Sequence, residues 1–369
     1  MVNRRGVYRF IFAGGGTGGH LFPAVAVAEQ IKKMKPESKI MFVGTKDKIE
    51  ARIVPKLGFD FNTIWISGFS REFTIKNILF PVKLIVSMLQ SLLICLKYKP
   101  QVAVGSGAYV SGPVVWAASF LGAKVVLLEQ NSYPGITNRI LEKKADQIHL
   151  CFENSKKYFR DQKKLKVTGN PVRLEMELIE KNKALNKFNL DPDKKTVLVI
   201  GGSLGAKSIN EALKNNLNKF VKNNLQIIWQ TGIGYFDEYK SFESNSVRVL
   251  PFIDNMIGAY SAADLVIARS GATTIAEVSY LGLPVIFVPS TNVAANHQFK
   301  NAQALLENEA ALLIPDNELN EKLFPEVQNL LNDESKLKKL SSNIKNFSKP
   351  DAAKEIAEEV IKLAEITVV

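Results

Sequence analysis

The sequence predicts an α/β protein made of two doubly wound domains. Short apolar segments typical of strands alternate with helical segments along nearly the whole chain, as in parallel sheets covered on both faces. A strand, a glycine-rich turn and a helix follow one another in residues 8–35, and the same order returns at residues 196–207. Two such openings, about half a chain apart, indicate two domains rather than one large one.

The first half contains five predicted strands, each a continuous apolar run, separated by helices. The strands are Tyr8–Ala13, Lys39–Gly44, Val102–Gly105, Lys124–Glu129 and Ile148–Phe152. The helices are Pro23–Lys35, Leu84–Leu96, Pro113–Leu121 and Ile136–Lys144. Apolar runs of this length between helices are typical of a buried parallel sheet.

The second half repeats the pattern after a turn at residues 191–193. Its predicted strands are Thr196–Ile200, Gln226–Gln230, Val247–Leu250, Asp264–Ala268, Val285–Val288 and Ala311–Ile314, with a helix from Lys207. We predict a first domain of residues 1–172 and a second of residues 173–349. The last helix, Asp351–Ala364, follows Lys349-Pro350, so residues 350–369 are predicted to return to the first domain. The domains would face a cleft edged by the glycine turns, at the carboxyl ends of the strands.

Composition favours a soluble globular protein with anionic partners. The 369 residues carry 48 Lys+Arg against 36 Asp+Glu, a net charge of +12, which attracts phosphorylated substrates, phospholipid surfaces or nucleic acid. No nucleic-acid-binding motif supports the last of these, and a charge surplus that serves solubility alone is the alternative. The two cysteines, Cys95 and Cys151, are too few for a disulfide framework and indicate buried thiols in a reducing compartment.

The glycine turn at Gly14–Gly19 is the strongest local signal. Bare amides at a helix N-terminus bind phosphate, and His20 follows at once. The helix dipole keeps an imidazole there neutral and able to accept a proton; stabilising the turn is the alternative role. A second turn, Gly105–Pro113, suggests a substrate with more than one phosphate, or a diphosphate held from two sides. The first turn, Gly14–Gly19, also fits G-x-G-x-x-G, but the acid expected after the second strand is displaced to Asp47, which argues against a nicotinamide site.

Two turns of the second half also point to a nucleotide. Gly201–Gly205 offers amides to a phosphate, and Arg269–Thr274 joins a strand to a helix whose first turns include Glu277. That carboxylate could accept both ribose hydroxyls, or it could be a favourable acid near a helix N-terminus. No Cys/His group or carboxylate cluster has metal-ligand spacing, so no tightly bound metal is expected.

The segment before the third predicted strand combines basic and apolar residues. Leu84–Leu96 is too short to span a bilayer, and Arg71–Lys83 upstream could lie on an anionic membrane. A helix packed on the sheet, with a few solvated lysines, is the alternative.

Seven motifs occur together and in order. They are Gly14–Pro23, Gly107–Pro113, Glu129–Asn131, Thr168–Arg173, Gly201–Ala206, Arg269–Glu277 and Asn296–Asn301. As a set, they resemble the N-acetylglucosaminyltransferase family of peptidoglycan synthesis. The resemblance implies the two-domain GT-B fold. It also implies transfer of N-acetylglucosamine, with inversion, from UDP-N-acetylglucosamine to the 4-hydroxyl of undecaprenyl-diphospho-N-acetylmuramyl-pentapeptide, without a tightly bound cofactor.

Site residues follow from the same resemblance, position by position. It implies donor contacts at Thr17, Gly18, Gly19, Asn131, Arg173, Ser203, Ile253, Ala272, Thr273, Thr274, Ile275, Ala276, Glu277 and Gln298. It assigns the acceptor diphosphate to the first-domain turns, with candidates Gly14, Gly15, Gly16, Gly107, Tyr109 and Ser111. His20 becomes the candidate base.

A lipid-linked acceptor also implies a peripheral enzyme on the cytoplasmic face of the bacterial inner membrane. The candidate docking patch on this anionic surface is Ile75, Lys76, Leu79, Phe80, Val82 and Lys83, and other cell-wall synthesis proteins are candidate partners. The residues alone leave three alternatives. These are another enzyme of the same fold (lipid A disaccharide synthase or a UDP-sugar epimerase), a nicotinamide oxidoreductase, and a non-enzymatic nucleotide-sugar-binding scaffold.

Overall fold

The computed structural model describes residues 7–68, 79–173, 176–291 and 297–367. The chain forms two compact units, Met1–Leu174 with Lys349–Val369, and Glu175–Ser348. Each unit contains one parallel sheet.

The first unit alternates strands and helices. Its strands are β1 Arg9–Ala13, β2 Lys39–Gly44, β3 Asp60–Thr63, β4 Val102–Gly105, β5 Lys124–Glu129, β6 Gln147–Leu150 and β7 Leu165–Val167. Its α-helices are α1 Gly18–Met34, α2 Ile49–Lys56, α3 Phe80–Tyr98, α4 Ala108–Phe120 and α5 Ile136–Leu141, and the C-terminal helix described below belongs to it.

The first sheet has the strand order β3-β2-β1-β4-β5-β6-β7, and its pairs are parallel. The order reverses between β1 and β4, where Ala13 pairs with Gly105. Ligands of doubly wound sheets bind at such a reversal, outside the carboxyl ends of the strands. The turns after β1 and β4 lie at this edge, side by side.

The second unit begins its sheet at β8 Lys195–Ile200. The remaining strands are β9 Leu225–Gln230, β10 Val247–Leu250, β11 Leu265–Ala268, β12 Val285–Phe287 and β13 Leu312–Leu313. Its α-helices are α6 Lys181–Lys187, α7 Lys207–Lys222, α8 Phe236–Tyr239, α9 Met256–Ala262, α10 Ala272–Leu281, α11 His297–Glu307, α12 Leu319–Leu331 and α13 Glu334–Lys345. The parallel order β10-β9-β8-β11-β12-β13 reverses between β8 and β11, so the turns after these two strands are again neighbours.

The C-terminal helix, α14 Ala352–Ile366, packs on the first unit. Ile356, Val360 and Leu363 lie in one apolar cluster with residues of β1 and α1. Apolar residues at helical spacing provide this buried face. The helix therefore completes one layer over the first sheet.

Helix α3 is longer than the apolar stretch that predicted it. It spans 19 residues with mean hydropathy 1.6, which makes it long and apolar enough to cross a membrane by length and composition. The prediction that this segment is too short is therefore wrong on length. Only 17% of its apolar window is buried within the protein. One such helix is weak evidence for a span, because core helices and signal sequences meet the same criteria.

Two helices begin earlier than predicted, inside the glycine turns. Helix α1 begins at Gly18 and not at Pro23, and α4 begins at Ala108 and not at Pro113. Each proline lies inside its helix. Glycine and proline disfavour helix interiors, so contacts at the sheet edge override local preference here. Consequently His20 is the third residue of α1 and belongs to its first turn.

Candidate functional site

The turn after β1 is folded around a buried carboxylate. Gly16 has φ +78, and its amide donates to Glu50 Oε2 at 2.8 Å. The other oxygen of Glu50 accepts from the amide and hydroxyl of Thr45 at 2.9 and 2.8 Å. A Cβ on Gly15 would lie 2.4 Å from the Glu50 carboxyl carbon. The Gly16 amide is therefore already engaged, which limits its use by an acceptor diphosphate. Gly14 and Gly15 are buried.

The turn after β4 uses the left-handed backbone region twice in succession. Gly107 has φ +95 and Ala108 has φ 60, a region that alanine rarely adopts. The Ser111 hydroxyl contacts the carbonyls of Ala13, at 2.9 Å, and Gly107. Ser111 is fully buried, so it shapes the turn, and the structure gives no support to a ligand contact there.

Tyr109 lies half-buried beside the first turn. Burial raises the pKa of its hydroxyl, and the Glu50 carboxylate adds to this while a hydrogen bond with Thr45 opposes it. The neutral phenol is thus a hydrogen-bond donor or acceptor at neutral pH.

His20 links the two turns of the first unit. Its Nδ1 lies 2.9 Å from the Ser106 carbonyl and 3.3 Å from Gln130 Oε1. Ser106 in turn donates its hydroxyl to the His20 carbonyl at 2.6 Å. The side chain is partly exposed, so the imidazole is held on one edge and accessible.

The segment after β5 is organised by Glu129. This buried carboxylate accepts from the Asn131 amide at 2.9 Å, Gly135 N at 3.0 Å and Asn138 Nδ2 at 2.9 Å. Burial raises the pKa of Glu129, while these hydrogen bonds oppose the shift. Asn131 also lies with its side-chain amide 3.3 Å from the same carboxylate, so its predicted sugar contact would share that amide.

The other predicted donor contacts of the first unit lie in or beside the first turns of α1. Thr17 occupies the N-cap position of α1, and Gly18 and Gly19 open the helix. The Arg173 guanidinium lies over the Phe22 ring at 4.7 Å, a cation–π contact. Arg173 is thereby positioned beside the first turns of α1.

The turn after β8 packs directly on the turn after β9. Gly205 and Gly232 have φ +79 and +88. A Cβ on Gly205 would lie 2.0 Å from the Thr231 carbonyl oxygen, and a Cβ on Gly232 would lie 2.5 Å from Leu204 O. The loop that carries Ser203 is thus fixed by backbone contact, and Ser203 itself is partly exposed. The contribution of Gly232 was not predicted.

Gln230 connects that loop to Ile253. Its Nε2 donates to Gly202 O at 3.0 Å, and its Oε1 accepts from Ile253 N at 2.8 Å. The Ile253 amide is therefore used inside the protein, which leaves its carbonyl as the group for the predicted backbone contact with uracil.

Glu277 is oriented by a buried tyrosine. The Tyr260 hydroxyl donates to Glu277 Oε2 at 2.8 Å, and both residues are buried. Glu277 lies in the second turn of α10, and the predicted nucleotide-lining residues Ala272, Thr273, Thr274, Ile275 and Ala276 form the preceding residues of the same helix.

Arg269 ties the turn after β11 to α7. Its guanidinium donates to Asp316 at 2.7 and 3.3 Å and to Ser208 Oγ at 2.7 Å. Ser208 also donates to Asp316 at 2.8 Å. These hydrogen bonds join the turn after β11, helix α7 and the segment after β13 at the carboxyl edge of the sheet. The sequence placed Arg269 in a motif but did not reveal Asp316.

Gln298 has both its side chain and its backbone engaged. Its Oε1 accepts from Ser290 N at 2.8 Å, and its carbonyl accepts from the Ser270 hydroxyl at 2.8 Å. The side-chain NH₂ group carries two further donors that a sugar could use. Asn296, in the motif before it, lies outside the described residues.

Within the described ranges, no group of three or more His, Cys, Asp or Glu residues could hold a metal ion. The described site is therefore built from main-chain amides, one imidazole and several oriented polar side chains.

Models of two protein families match most of this chain. The profile of the glycosyltransferase family 28 N-terminal domain matches residues 10–150, and that of the C-terminal domain matches residues 196–356. A relative from Flavobacterium psychrophilum is 45% identical over 97% of this chain and 98% of its own length. Its name is UDP-N-acetylglucosamine–N-acetylmuramyl-(pentapeptide) pyrophosphoryl-undecaprenol N-acetylglucosamine transferase.

Solved structures give the same fold. MurG of Acinetobacter baumannii aligns with a TM-score of 0.70 and 26% identity, over 96% of this chain and 99% of its own. A UDP-GlcNAc 2-epimerase of Neisseria meningitidis aligns with a TM-score of 0.66 at 14% identity, over 97% of this chain and 100% of its own. The second likeness concerns the fold alone.

Proposed function

Since the chain belongs to glycosyltransferase family 28, we propose that it transfers N-acetylglucosamine from UDP-N-acetylglucosamine to N-acetylmuramyl-(pentapeptide) pyrophosphoryl-undecaprenol. The observation that carries the proposal is the 45% identity, over nearly the full length of both chains, to a relative named for this reaction. The bond would form at the acceptor 4-hydroxyl, with inversion at the anomeric carbon. The product is the lipid-linked disaccharide-pentapeptide used in peptidoglycan synthesis.

The second unit suits the nucleotide part of the donor. Two neighbouring turns at the reversal of its sheet, after β8 and β11, bring main-chain amides and the N-termini of α7 and α10 to one edge. Helix N-termini and bare amides bind phosphate. In the proposal, Ser203 and its loop bind the diphosphate and Glu277 binds the ribose, while Ile253 contacts the uracil. These amides stabilise the leaving UDP, without a tightly bound cofactor.

The first unit suits the acceptor chemistry. His20 lies between the turns after β1 and β4, where its Nδ1 contacts the Ser106 carbonyl. In the proposal it accepts the proton of the attacking hydroxyl. Amides of the same two turns bind the acceptor diphosphate, with the Gly16 amide restrained by Glu50. Thr17, Gly18, Gly19, Asn131 and Arg173 remain proposed donor contacts.

Turnover with both natural substrates tests the proposal. Labelled UDP-N-acetylglucosamine and the lipid-linked muramyl-pentapeptide should give a labelled lipid product. His20→Ala should lower kcat by about a hundredfold or more while calorimetry finds nearly unchanged UDP binding. Release of labelled N-acetylglucosamine without a lipid product, or transfer only to other acceptors, would refute the assignment.

We also propose that α3 docks the enzyme on the cytoplasmic face of an anionic membrane. Its small residues Ser87, Ser91 and Cys95 face inward and are buried. Five large apolar residues lie on the opposite side and form the outer stripe of α3, which consists of Val82, Ile85, Leu89, Leu93 and Leu96, all 48–67% exposed. Leu84, Leu92 and Ile94 are partly buried against the core. A continuous row of exposed large apolar side chains is expected at a lipid surface and not in a soluble core.

Positive charge and an aromatic ring lie beside this stripe. Lys83 lies over the Trp65 ring at 5.6 Å, and Trp65 is 50% exposed. Lys97 and Lys99 are exposed at the other end of the helix. Of the predicted patch, Leu79, Phe80, Val82 and Lys83 lie at the start of α3, and Ile75 and Lys76 lie outside the described residues.

A further inference from the structure

The contacts of His20 determine which ring nitrogen carries the proton. Nδ1 lies 2.9 Å from the Ser106 carbonyl oxygen and 3.3 Å from Gln130 Oε1. Both partners are oxygen atoms that only accept hydrogen bonds. Nδ1 must therefore donate, and in the neutral imidazole Nε2 then has the free lone pair.

Gln130 is itself held in one orientation. Its Nε2 donates to the Ser106 carbonyl at 3.1 Å, so its oxygen is the atom that faces the imidazole. The side chain is 3% exposed and follows Glu129, whose carboxylate fixes the adjoining turn. Gln130 and the Ser106 carbonyl thus form a small buried network that the ring contacts with one edge.

The turn after β4 restricts the imidazole further. A Cβ on Gly107 would lie 2.8 Å from His20 Nδ1, so only glycine allows this approach. The Ser106 hydroxyl also binds the His20 carbonyl at 2.6 Å. Ring and backbone of His20 are therefore both attached to the same turn.

We propose that Gln130 is a positioning residue for His20, which it holds with Nδ1 protonated so that Nε2 takes the proton of the attacking hydroxyl. The inference rests on the proposed function. In the step, the acceptor oxygen forms a bond to the anomeric carbon, its proton moves to Nε2, and UDP leaves with the electron pair of the broken bond. A ring protonated on Nε2 would have no lone pair facing the hydroxyl.

Nuclear magnetic resonance of the ring nitrogens tests the tautomer without activity. The chain has three histidines, so protein with ¹⁵N-labelled histidine gives few signals, and His149→Gln and His297→Gln variants assign them. At a pH where the ring is neutral, His20 should show a protonated Nδ1 and an unprotonated Nε2. The reverse pattern, or an even mixture of both, would overturn the proposal.

Kinetics of Gln130→Met test the consequence. This substitution keeps the side-chain length and removes both polar atoms, and kcat should fall about tenfold with the donor KM within twofold. The matched control is Gln226→Met, which removes an amide from the second unit that is equally buried and bonded to Asp191 and Thr196. It should leave kcat unchanged in the folded fraction.

A double substitution separates positioning from a direct or merely structural effect. In the His20→Ala background, Gln130→Met should cause no further loss of kcat. A loss of the same tenfold there would overturn the proposal, as would near-normal turnover of His20→Ala alone. If the wild type has no lipid-linked transferase activity, the proposed function fails, and the ring-nitrogen spectrum still decides the tautomer.

Discussion

The Tyr260 hydroxyl donates a hydrogen bond to the Glu277 carboxylate at 2.8 Å, inside the second unit. This bond orients the carboxylate that is proposed to bind the ribose. Hydrogen bonds to charged groups contribute more than neutral ones. Tyr260 therefore acts on the proposed donor site through the orientation of one carboxylate.

Tyr260→Phe should weaken UDP binding about tenfold, because it removes the hydroxyl that orients Glu277 and leaves the rest of the side chain unchanged. Isothermal titration calorimetry measures the effect. Tyr280→Phe, the same chemical change on α10, is the control and should bind UDP like the wild type. Equal affinities for all three proteins would show that Tyr260 has no part in the donor site.

Gly232→Ala should disrupt the loop that carries Ser203. The added methyl would meet Gly205 and the Leu204 carbonyl at 2.5 Å, at a residue with φ +88, so the backbone must shift. We expect UDP affinity to fall at least about tenfold, with circular dichroism unchanged. Gly234→Ala is the matched control, because a Cβ there meets nothing within 4 Å. If Gly234→Ala lost affinity as well, the effect of Gly232→Ala would not come from packing against the loop that carries Ser203.

The glycine turns and the central strands could be predicted from sequence because their signals are local. Apolar runs at β1, β4 and β8, each followed by glycines, gave element positions within a residue. The edge strands β3 and β7 were missed. Asp60–Thr63 is mostly exposed, and a short edge strand is stabilised by pairing on one side only, so it lacks the apolar run on which the prediction depended.

The partners that shape the site could not be predicted, because they are distant in sequence. Glu50 lies 34 residues from Gly16, and Gln230 lies 28 residues from Gly202. A single sequence contains no periodicity that joins such pairs. Gln130 is the exception in part, since the segment Glu129–Asn131 was noted at a strand end, although its link to His20 depends on the register of β4 and β5.

Acid should destabilise the first unit through His149. Burial, aided by the charge of Lys166 and opposed by Glu359, lowers the pKa of His149 to about 4, below the 6.5 of an unfolded histidine. Between these values the unfolded chain binds a proton that the folded chain does not. The contribution of His149 to the free energy of unfolding is therefore complete above pH 6.5. It declines by roughly 3 kcal/mol as the pH falls to 4.

Urea unfolding at several pH values measures this dependence, and His149→Gln should remove the corresponding part of it. Proton resonances of the His149 ring provide a direct check, and we expect them to titrate with a midpoint near pH 4. A His149 ring that titrates as in an unfolded peptide would contradict the prediction.

Asp316→Ala should destabilise the second unit and weaken donor binding together. The Arg269–Asp316 pair is largely buried, with side chains 12% and 17% exposed, and removal of one partner leaves a buried guanidinium without its counterion. The expected loss is about 3 kcal/mol of unfolding free energy. Glu318→Ala is the control, because it removes a neighbouring carboxylate from an exposed pair with Lys322, and such pairs contribute little. Equal stability of both variants would show that the Arg269–Asp316 pair does not stabilise the second unit.

Substitutions on the outer stripe of α3 should separate membrane docking from chemistry. In Leu89→Ser/Leu93→Ser, two leucines that are 58% and 67% exposed become polar, so folding should be preserved while the apolar area available to lipid decreases. Sedimentation with vesicles that contain anionic phospholipids should fall several-fold. Turnover should fall with the membrane-bound acceptor and stay unchanged with a short-chain soluble acceptor. Leu306→Ser, at a helical leucine of the second unit that is 41% exposed, controls for a general loss of surface hydrophobicity. If this control lowers sedimentation with vesicles as much as the α3 variant does, the outer stripe is not the docking surface.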